Sequence, residues 1–399
     1  MKTRLKIFLA AILFIAISCS KEKPIDKIID ESLSFAVKQY SLMTDTMKNK
    51  PDQLPRTITA EGRLKTENSH WWTSGFYPGS LWYLYEYSNN PEFKADATGM
   101  TARVEQEKYT TNSHDVGFIL NCSFGNGLRL TGEEAYNEVL LTGAKSLSTR
   151  FRPNIGCIQS WGSSKKWQCP VIIDNMMNLE LLMWAFKKSG DSSFYKIALS
   201  HADTTIKYHF RSDFSTYHVV SYDTITGKVE ARQTAQGFAD SSAWSRGQSW
   251  GLYGYTMMYR ETGLDRYLQQ ARHIAGFLTS NPNLPEDKIP YWDFSAPGIP
   301  NATRDASAGA IMASALIELS SYVDKEEGAI YLKVAETQIR TLASPMYMAK
   351  LGENGDFLLM HSVGSIPANS EVDVPLTYAD YYFIEACMRY RKILNAESK

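Results

Sequence analysis

The chain has 399 residues, a formal net charge of -1 and 44% hydrophobic residues. These values describe a chain with ample apolar material for a core, and one large domain is the default, although the length alone would permit two. No basic run is present, so nucleic acid is not an expected partner.

Lys2, Arg4 and Lys6 precede the apolar stretch Ile7–Ile17, which is too short to span a bilayer and reads as the core of a signal peptide. Ala16-Ile17-Ser18-Cys19 has the form of a bacterial lipoprotein cleavage box. Residues 1–18 are therefore expected to be removed, Cys19 to carry the lipid, and residues 19–24 to form a short polar tether. Residues 25–399 then form a single domain outside the cytoplasm. It is held to the membrane only by its anchor, in the periplasm rather than at the cell surface.

Ile25–Met47 is amphipathic, with Ile28, Ile29, Leu33, Val37 and Tyr40 on one face. Residues 51–68 are polar and loop-like. A theme then recurs about every 60 residues. A loop rich in aromatic and polar residues leads into a helix of Gly, Ala, Ser, Leu and Met, often closed by a glycine turn. An amphipathic helix opening near a Tyr or Phe follows. Its six instances begin at His70-Trp71-Trp72, His114-Asp115, Ile173-Asp174, Ser245-Arg246, Asp305-Ala306 and Thr377-Tyr378. Six helical hairpins with small-residue inner helices predict an all-α (α/α)6 barrel, an open solenoid being the alternative. Each inner helix starts with functional-looking residues, so the pattern gathers these on one rim. Helix N-termini there favour an anionic ligand.

Between the helices, residues 156–170 hold Trp161 and Trp167 without helical period. Residues 217–223 and 228–230 read as a hairpin about Thr226-Gly227, and residues 282–301 as a loop. Cys122, Cys157, Cys169 and Cys387 match no zinc spacing. Cys157 and Cys169 either pair across a loop or remain buried thiols. No phosphate-binding glycine loop, Ser-His-Asp signature or metal-ligand cluster is present, and no cofactor is implied.

Two carboxylates open neighbouring inner helices, Asp115 and Asp174. Neighbouring acids push their pKa values apart, the arrangement that general acid–base catalysis uses. Asp174 lies between Val171-Ile172-Ile173 and an apolar helix, so its pKa is expected to rise; the competing reading is a helix N-cap. Asp305 and Asp380 occupy matching positions, so some of the four are caps. Arg246 shares a helix face with Trp250. Its planar guanidinium suits a carboxylate ligand, or else a salt bridge to a rim acid. His218 stands on the expected hairpin, where a structural role is the commoner one.

Four stretches in order are similar to the unsaturated glucuronyl hydrolases (glycoside hydrolase family 88). They are His114-Asp115-Val116-Gly117-Phe118, Ile173-Asp174-Asn175-Met176-Met177-Asn178, Ser245-Arg246-Gly247-Gln248-Ser249-Trp250-Gly251-Leu252-Tyr253-Gly254 and Pro375-Leu376-Thr377-Tyr378-Ala379-Asp380-Tyr381-Tyr382-Phe383. The resemblance runs over essentially the whole mature chain and implies the same barrel. It implies hydration of the C4=C5 vinyl ether in a 4,5-unsaturated uronate at the non-reducing end of lyase-generated, glycosaminoglycan-type oligosaccharides. In that scheme Asp174 is the general acid and base, and Asp115 is the second acid. His218, Gln236, Arg246 and Trp250 line the uronate site, and Trp71, Trp72 and Trp161 offer stacking surfaces. A C-terminal Ser/Lys segment that accompanies sulfated substrates in some members is here Ser362-Val363-Gly364-Ser365-Ile366-Pro367, with Ile366 where a Lys often stands. The alternatives are an unsaturated rhamnogalacturonyl or ulvan-type hydrolase, and a glycan-binding lipoprotein without catalysis.

Overall fold

A computed structural model describes residues 22–397. The expected signal peptide and the lipidation site at Cys19 lie outside the described residues. Among them, no helix is long and apolar enough to cross a membrane.

The chain begins with α1 (Ile25–Lys48) and a β1–β2 hairpin (Leu54–Ile58, Leu64–Glu67), then α2 (Phe76–Ser88) and α3 (Pro91–Ala102). Next come α4 (Val116–Leu120), a π-turn (Asn121–Gly125), α5 (Asn126–Thr131) and α6 (Ala135–Ser148). Short strands β3 (Phe151–Arg152), β4 (Cys157–Ile158) and β5 (Cys169–Ile172) lead to a 3-10 turn (Ile173–Asn178), α7 (Leu179–Ser189) and α8 (Ser192–His209). The hairpin β6–β7 (Val219–Tyr222, Val229–Gln233) precedes α9 (Ser245–Thr262), α10 (Asp265–Ser280), α11 (Ala306–Leu319) and α12 (Lys325–Leu342). The chain closes with β8 (Ser362–Ser365), β9 (Ser370–Val374) and α13 (Thr377–Glu397).

Composition explains the two layers. In α11, every residue but Glu318 is buried, and its Ala, Ser and Gly let α9 and α13 approach from both sides. By contrast, α10 buries Tyr267, Leu268, Ala271, Ile274, Ala275 and Leu278 at helical spacing, the single stripe of an outer helix. Each such Leu or Ile contributes roughly 1.5–3 kcal/mol on burial. Gly132, Gly190 and Gly263 close α5, α7 and α9 at φ of 69°, 75° and 67°. Each donates its N–H to the carbonyl four residues back, the left-handed cap that turns the chain into the next outer helix.

The inner elements pack in sequence around a closed ring, with α13 against both α11 and α2. The sixth pair differs from the other five: α13 takes its outer partner from the start of the chain, α1. The expected hairpin at 219–233 is present, and β5 joins it as the outer strand of a three-stranded sheet. All four described cysteines are free and buried, so Cys157 and Cys169 are not bridged.

The structure differs from the sequence reading at the third inner helix. Asp174 lies in a 3-10 turn, and the α-helix starts only at Leu179. Two amides tighten this turn: Asn175 donates to Ile158 O at 2.7 Å, and Asn178 accepts from Phe118 N–H at 2.8 Å. A Cβ on Gly117 would stand 2.5 Å from the Asn178 side chain, so glycine is what lets α4 lie directly on the turn.

One face of α8 carries His201 and His209 into the core, both fully buried. Burial lowers His201 and His218 to about 3 and takes His209 well below the ordinary imidazole value. Burial also raises Asp174 and Asp380 to about 7. The histidines stay neutral in the fold but bind protons in the unfolded chain below roughly pH 6.5, so they cost stability as pH falls. The two acids act oppositely between about pH 7 and 4, because only the fold protonates them there. These five groups leave about one extra proton on the unfolded chain between about pH 6 and 4, and about two between pH 4 and 3, where the buried histidines begin to take protons in the fold as well. The expected losses are about 1.4 and then about 2.5 kcal/mol per pH unit. Urea midpoints measured from pH 7 to 3 check this; a flat profile contradicts it.

Candidate active site

The β5–β6 register pairs Ile172 with Val219 and brings Ile173 N–H to His218 O at 3.2 Å. The next residue, Asp174, is thereby set against the His218 ring, with its Oδ1 3.8 Å from Nε2. The Asp174 carboxyl is pushed up to about 7, mainly by burial. The Arg246 charge pulls it back, while Asp115 pushes it higher. It caps neither the 3-10 turn nor α7, and Oδ1 has no hydrogen-bond partner, so the cap reading does not hold.

His218 is held in one tautomer. Its Nδ1 accepts the N–H groups of Ala235 at 3.1 Å and Gln236 at 3.2 Å, which leaves the proton on Nε2. With the ring neutral, that buried N–H faces Asp174 without a partner. The indole N–H of Trp250 is likewise buried and unpaired, and it favours the ionised form of Asp174.

Asp115 stands at the start of α4 without capping it. Ser113 donates to its Oδ2 at 2.7 Å, and His114 Nε2 lies 3.4 Å from Oδ1. The Asn178 oxygen is engaged by Phe118 N–H, so its amide nitrogen donates to His114 Nδ1 at 3.1 Å, leaving the His114 proton on the Asp115 side. Asn178 thus ties the turn bearing Asp174 to the neighbours of Asp115.

The other two helix-start acids are structural. Asp305 caps α11 through Ser307 N–H at 3.0 Å and pairs with Arg246 at 3.2 Å. Asp380 accepts Leu358 N–H, Leu359 N–H and the Tyr40 hydroxyl. Asp305 is thus taken up by a cap and an arginine, and Asp380 by two backbone N–H groups and a tyrosine, whereas Asp115 and Asp174 are held by none of these.

Arg246 takes the salt bridge that the sequence left open. Nη1 binds Asp305 and Val363 O, and Nη2 binds Gly364 O at 2.8 Å, so only Nε remains unpaired. Gln236 binds the same Gly364 carbonyl at 3.1 Å. Both residues therefore pin β8, whose Ser362 hydroxyl is buried and unpaired. Ser365 instead accepts from Ala368 N–H at 3.4 Å.

Trp72, Phe76, Phe118, Trp250 and Tyr378 form one aromatic floor, with ring centres 4.9–6.4 Å apart. Trp71 lies beneath Arg56, its ring centre 3.5 Å from the guanidinium carbon. Trp161 packs on Trp167 in a loop whose Ser160 braces His114 and Ile172. Sequence reasoning did not single out His114, Asn178 or Tyr378, whose hydroxyl is buried without a partner. His114 and Tyr378 had a signal in their places at the head of inner helices; Asn178 had none.

A cavity of about 520 Å³ opens at the opposite end of the inner helices, lined by residues such as Arg260, Glu180 and Arg389. Its charges neutralise one another: Arg260 binds Glu180 and Glu318, Arg389 binds Glu318 and Glu385, and Lys187 binds Glu261. Burial raises Glu180 there too, but Arg260 binds it. The raised Asp174 has no lysine or arginine partner among the described residues and faces the unpaired His218 and Trp250 N–H groups, so the Asp174 end carries the chemistry. Among the described residues, no group of three His, Cys, Asp or Glu is placed to hold a metal ion.

No protein-family model matches the chain. Curated relatives do. An unsaturated glucuronyl hydrolase of Formosa agariphila is 42% identical over 390 residues, covering 96% of each chain. An unsaturated chondroitin disaccharide hydrolase of Streptococcus pneumoniae is 30% identical over 92% of this chain and 93% of its own. A crystal structure of an unsaturated glucuronyl hydrolase specific for heparin superposes with a TM-score of 0.90 at 46% identity, covering 93% and 98% of the two chains. Similarity of this depth, along almost the entire barrel, means that the chain belongs to the unsaturated glucuronyl hydrolase family.

Proposed function

We propose that the protein removes the non-reducing-end 4,5-unsaturated glucuronic acid from lyase-generated oligosaccharides by hydrating the C4=C5 bond. The observation that carries this reading is the buried, uncapped Asp174, raised to about 7 and facing two unpaired N–H donors. An acid so placed keeps a proton near neutral pH and can release it to carbon.

In this account Asp174 gives its proton to C4, and positive charge develops at C5 and the ring oxygen. Water adds to C5 and returns a proton to Asp174. The hemiketal opens by breaking the bond between C5 and the ring oxygen, which takes a proton and becomes the C1 hydroxyl. The hemiacetal then collapses, releasing the shortened sugar and leaving an aldehyde at C1 and a ketone at C5. His218 and Trp250 orient polar groups of the uronate from the walls, Asp115 takes sugar hydroxyls, and the Trp72 floor supports the ring. Arg246 acts from behind, tempering Asp174 and fixing the strand that bears Ser362.

Relatives named for heparin and for chondroitin disaccharides support a glycosaminoglycan-derived substrate. Ile366 packs with Val363, Tyr291 and Trp292, so that position offers apolar surface and no cation for a sulfate. Export through the residue 1–18 signal peptide and anchoring at Cys19 complete the proposal.

The experiment follows ultraviolet absorbance of the conjugated enol acid with unsaturated chondroitin, hyaluronan, heparin and rhamnogalacturonan disaccharides, with and without chelator. Loss of signal on a glucuronyl substrate is expected, unaffected by chelator. Because the protonated acid starts the reaction, kcat/KM should be level below about pH 7 and fall about tenfold per unit above it. Turnover confined to the rhamnogalacturonan substrate would overturn the glucuronyl assignment. A rate that rises through pH 8 would overturn the role of Asp174.

A further inference from the structure

A second pocket adjoins the site on the Asp115 side. It encloses about 330 Å³ between the head of α4, the short helix Glu105–Tyr109 and the loop that follows. Its walls mix polar groups, from His70, Thr110, Thr111, Asn112 and Ser113, with the apolar Val116 and Ile119, and Asp115 lines it too, with Tyr109 exposed at the edge. One buried carboxylate organises this wall. Glu107, 1% exposed, accepts Ser69 at 2.6 Å, Thr110 at 2.7 Å and His70 Nδ1 at 3.0 Å. Arg150 holds the following loop from below through Thr111 O at 2.7 Å. Hydroxyl and imidazole groups are thus fixed before any ligand arrives, with the exposed Asn112 amide and a ring surface beside them. That is the provision a neutral sugar needs.

The direction of the substrate leads there. In a six-membered ring, C1 and C2 lie across from C4 and C5. With Asp174 at the double bond, the edge carrying the leaving sugar is turned away from Asp174. Asp115 is the residue common to the acid pair and this pocket's wall.

We infer that the pocket bounded by Tyr109, Asn112, Ser113 and Asp115 is a subsite for the second sugar on the leaving-group side, the first lying against Asp115 itself. The enzyme then favours chains longer than a disaccharide. This inference rests on the hydrolase reading above, and the test separates the two. Wild type and the double variant Tyr109→Ala/Asn112→Ala, both changes at exposed side chains, are assayed on an unsaturated disaccharide and the matching tetrasaccharide. Wild type should show a lower KM for the tetrasaccharide. The variant should raise that KM about tenfold while holding disaccharide turnover within about twofold. Equal KM values for the two lengths in wild type, or an unchanged length preference in the variant, overturn the subsite. Absence of turnover on both substrates by folded wild type overturns the hydrolase reading instead.

Discussion

Asp174→Asn should lower kcat by about 10⁴-fold while leaving disaccharide binding nearly unchanged and the urea midpoint at neutral pH no lower. Asparagine has the same shape but no proton to give, and general acid–base groups contribute roughly 10²–10⁴. Here one residue acts twice, giving the proton to C4 and taking one from water, so the upper end of that range applies. Stability should survive because Asp174 neither caps a helix nor forms a hydrogen bond through Oδ1. Equilibrium binding and rapid-quench turnover on the same preparation check the separation. Asp380→Asn is the control, since its carboxyl is also raised to about 7 but is bound by two backbone N–H groups and Tyr40. It should lose stability and keep the chemical step. Parity of the two variants in turnover would show that the raised pKa is not what matters.

The largest effect on stability is expected from Arg246→Met, about 3–5 kcal/mol. Arg246 and Asp305 are 1% and 0% exposed. Removing the guanidinium leaves a buried carboxylate unpaired and two strand carbonyls, Val363 and Gly364, without a donor. Such a loss is the cost of a stranded charge more than the worth of the pair. The double variant Arg246→Met/Asp305→Asn should therefore recover most of it. Chemical unfolding of the three proteins measures this. A single-variant loss under about 1 kcal/mol would mean that solvent or rearrangement rescues Asp305.

Some of this site was legible before the fold was known. Three aliphatics before Asp174 and an apolar helix after it foretell burial, and burial alone accounts for most of its raised pKa. Five of the six helix pairs follow from small-residue helices alternating with striped ones. Other features depend on partners far along the chain. Asp115, Asp174, Asp305 and Asp380 look alike at the heads of helices. They separate only when Ser307, Arg246, Leu358 and Tyr40 engage the last two. Arg246 was readable as a ligand clamp because nothing near it in sequence shows that residues 363 and 364 fold back onto it. Asn178 carried no signal, since its task is to join α4 to the 3-10 turn across 60 residues. The closing of α13 on α1 is equally a matter of ring geometry, which a linear repeat does not display.

The central claim is that the double bond is consumed in the step that frees the sugar. The direct measurement is a time course of released reducing sugar alongside enol-acid absorbance on one substrate. The account requires the two to run mole for mole from the earliest time point, and both to stop in Asp174→Asn. Sugar released while the absorbance persists would mean displacement at C1 with the double bond intact, and would contradict the hydration mechanism.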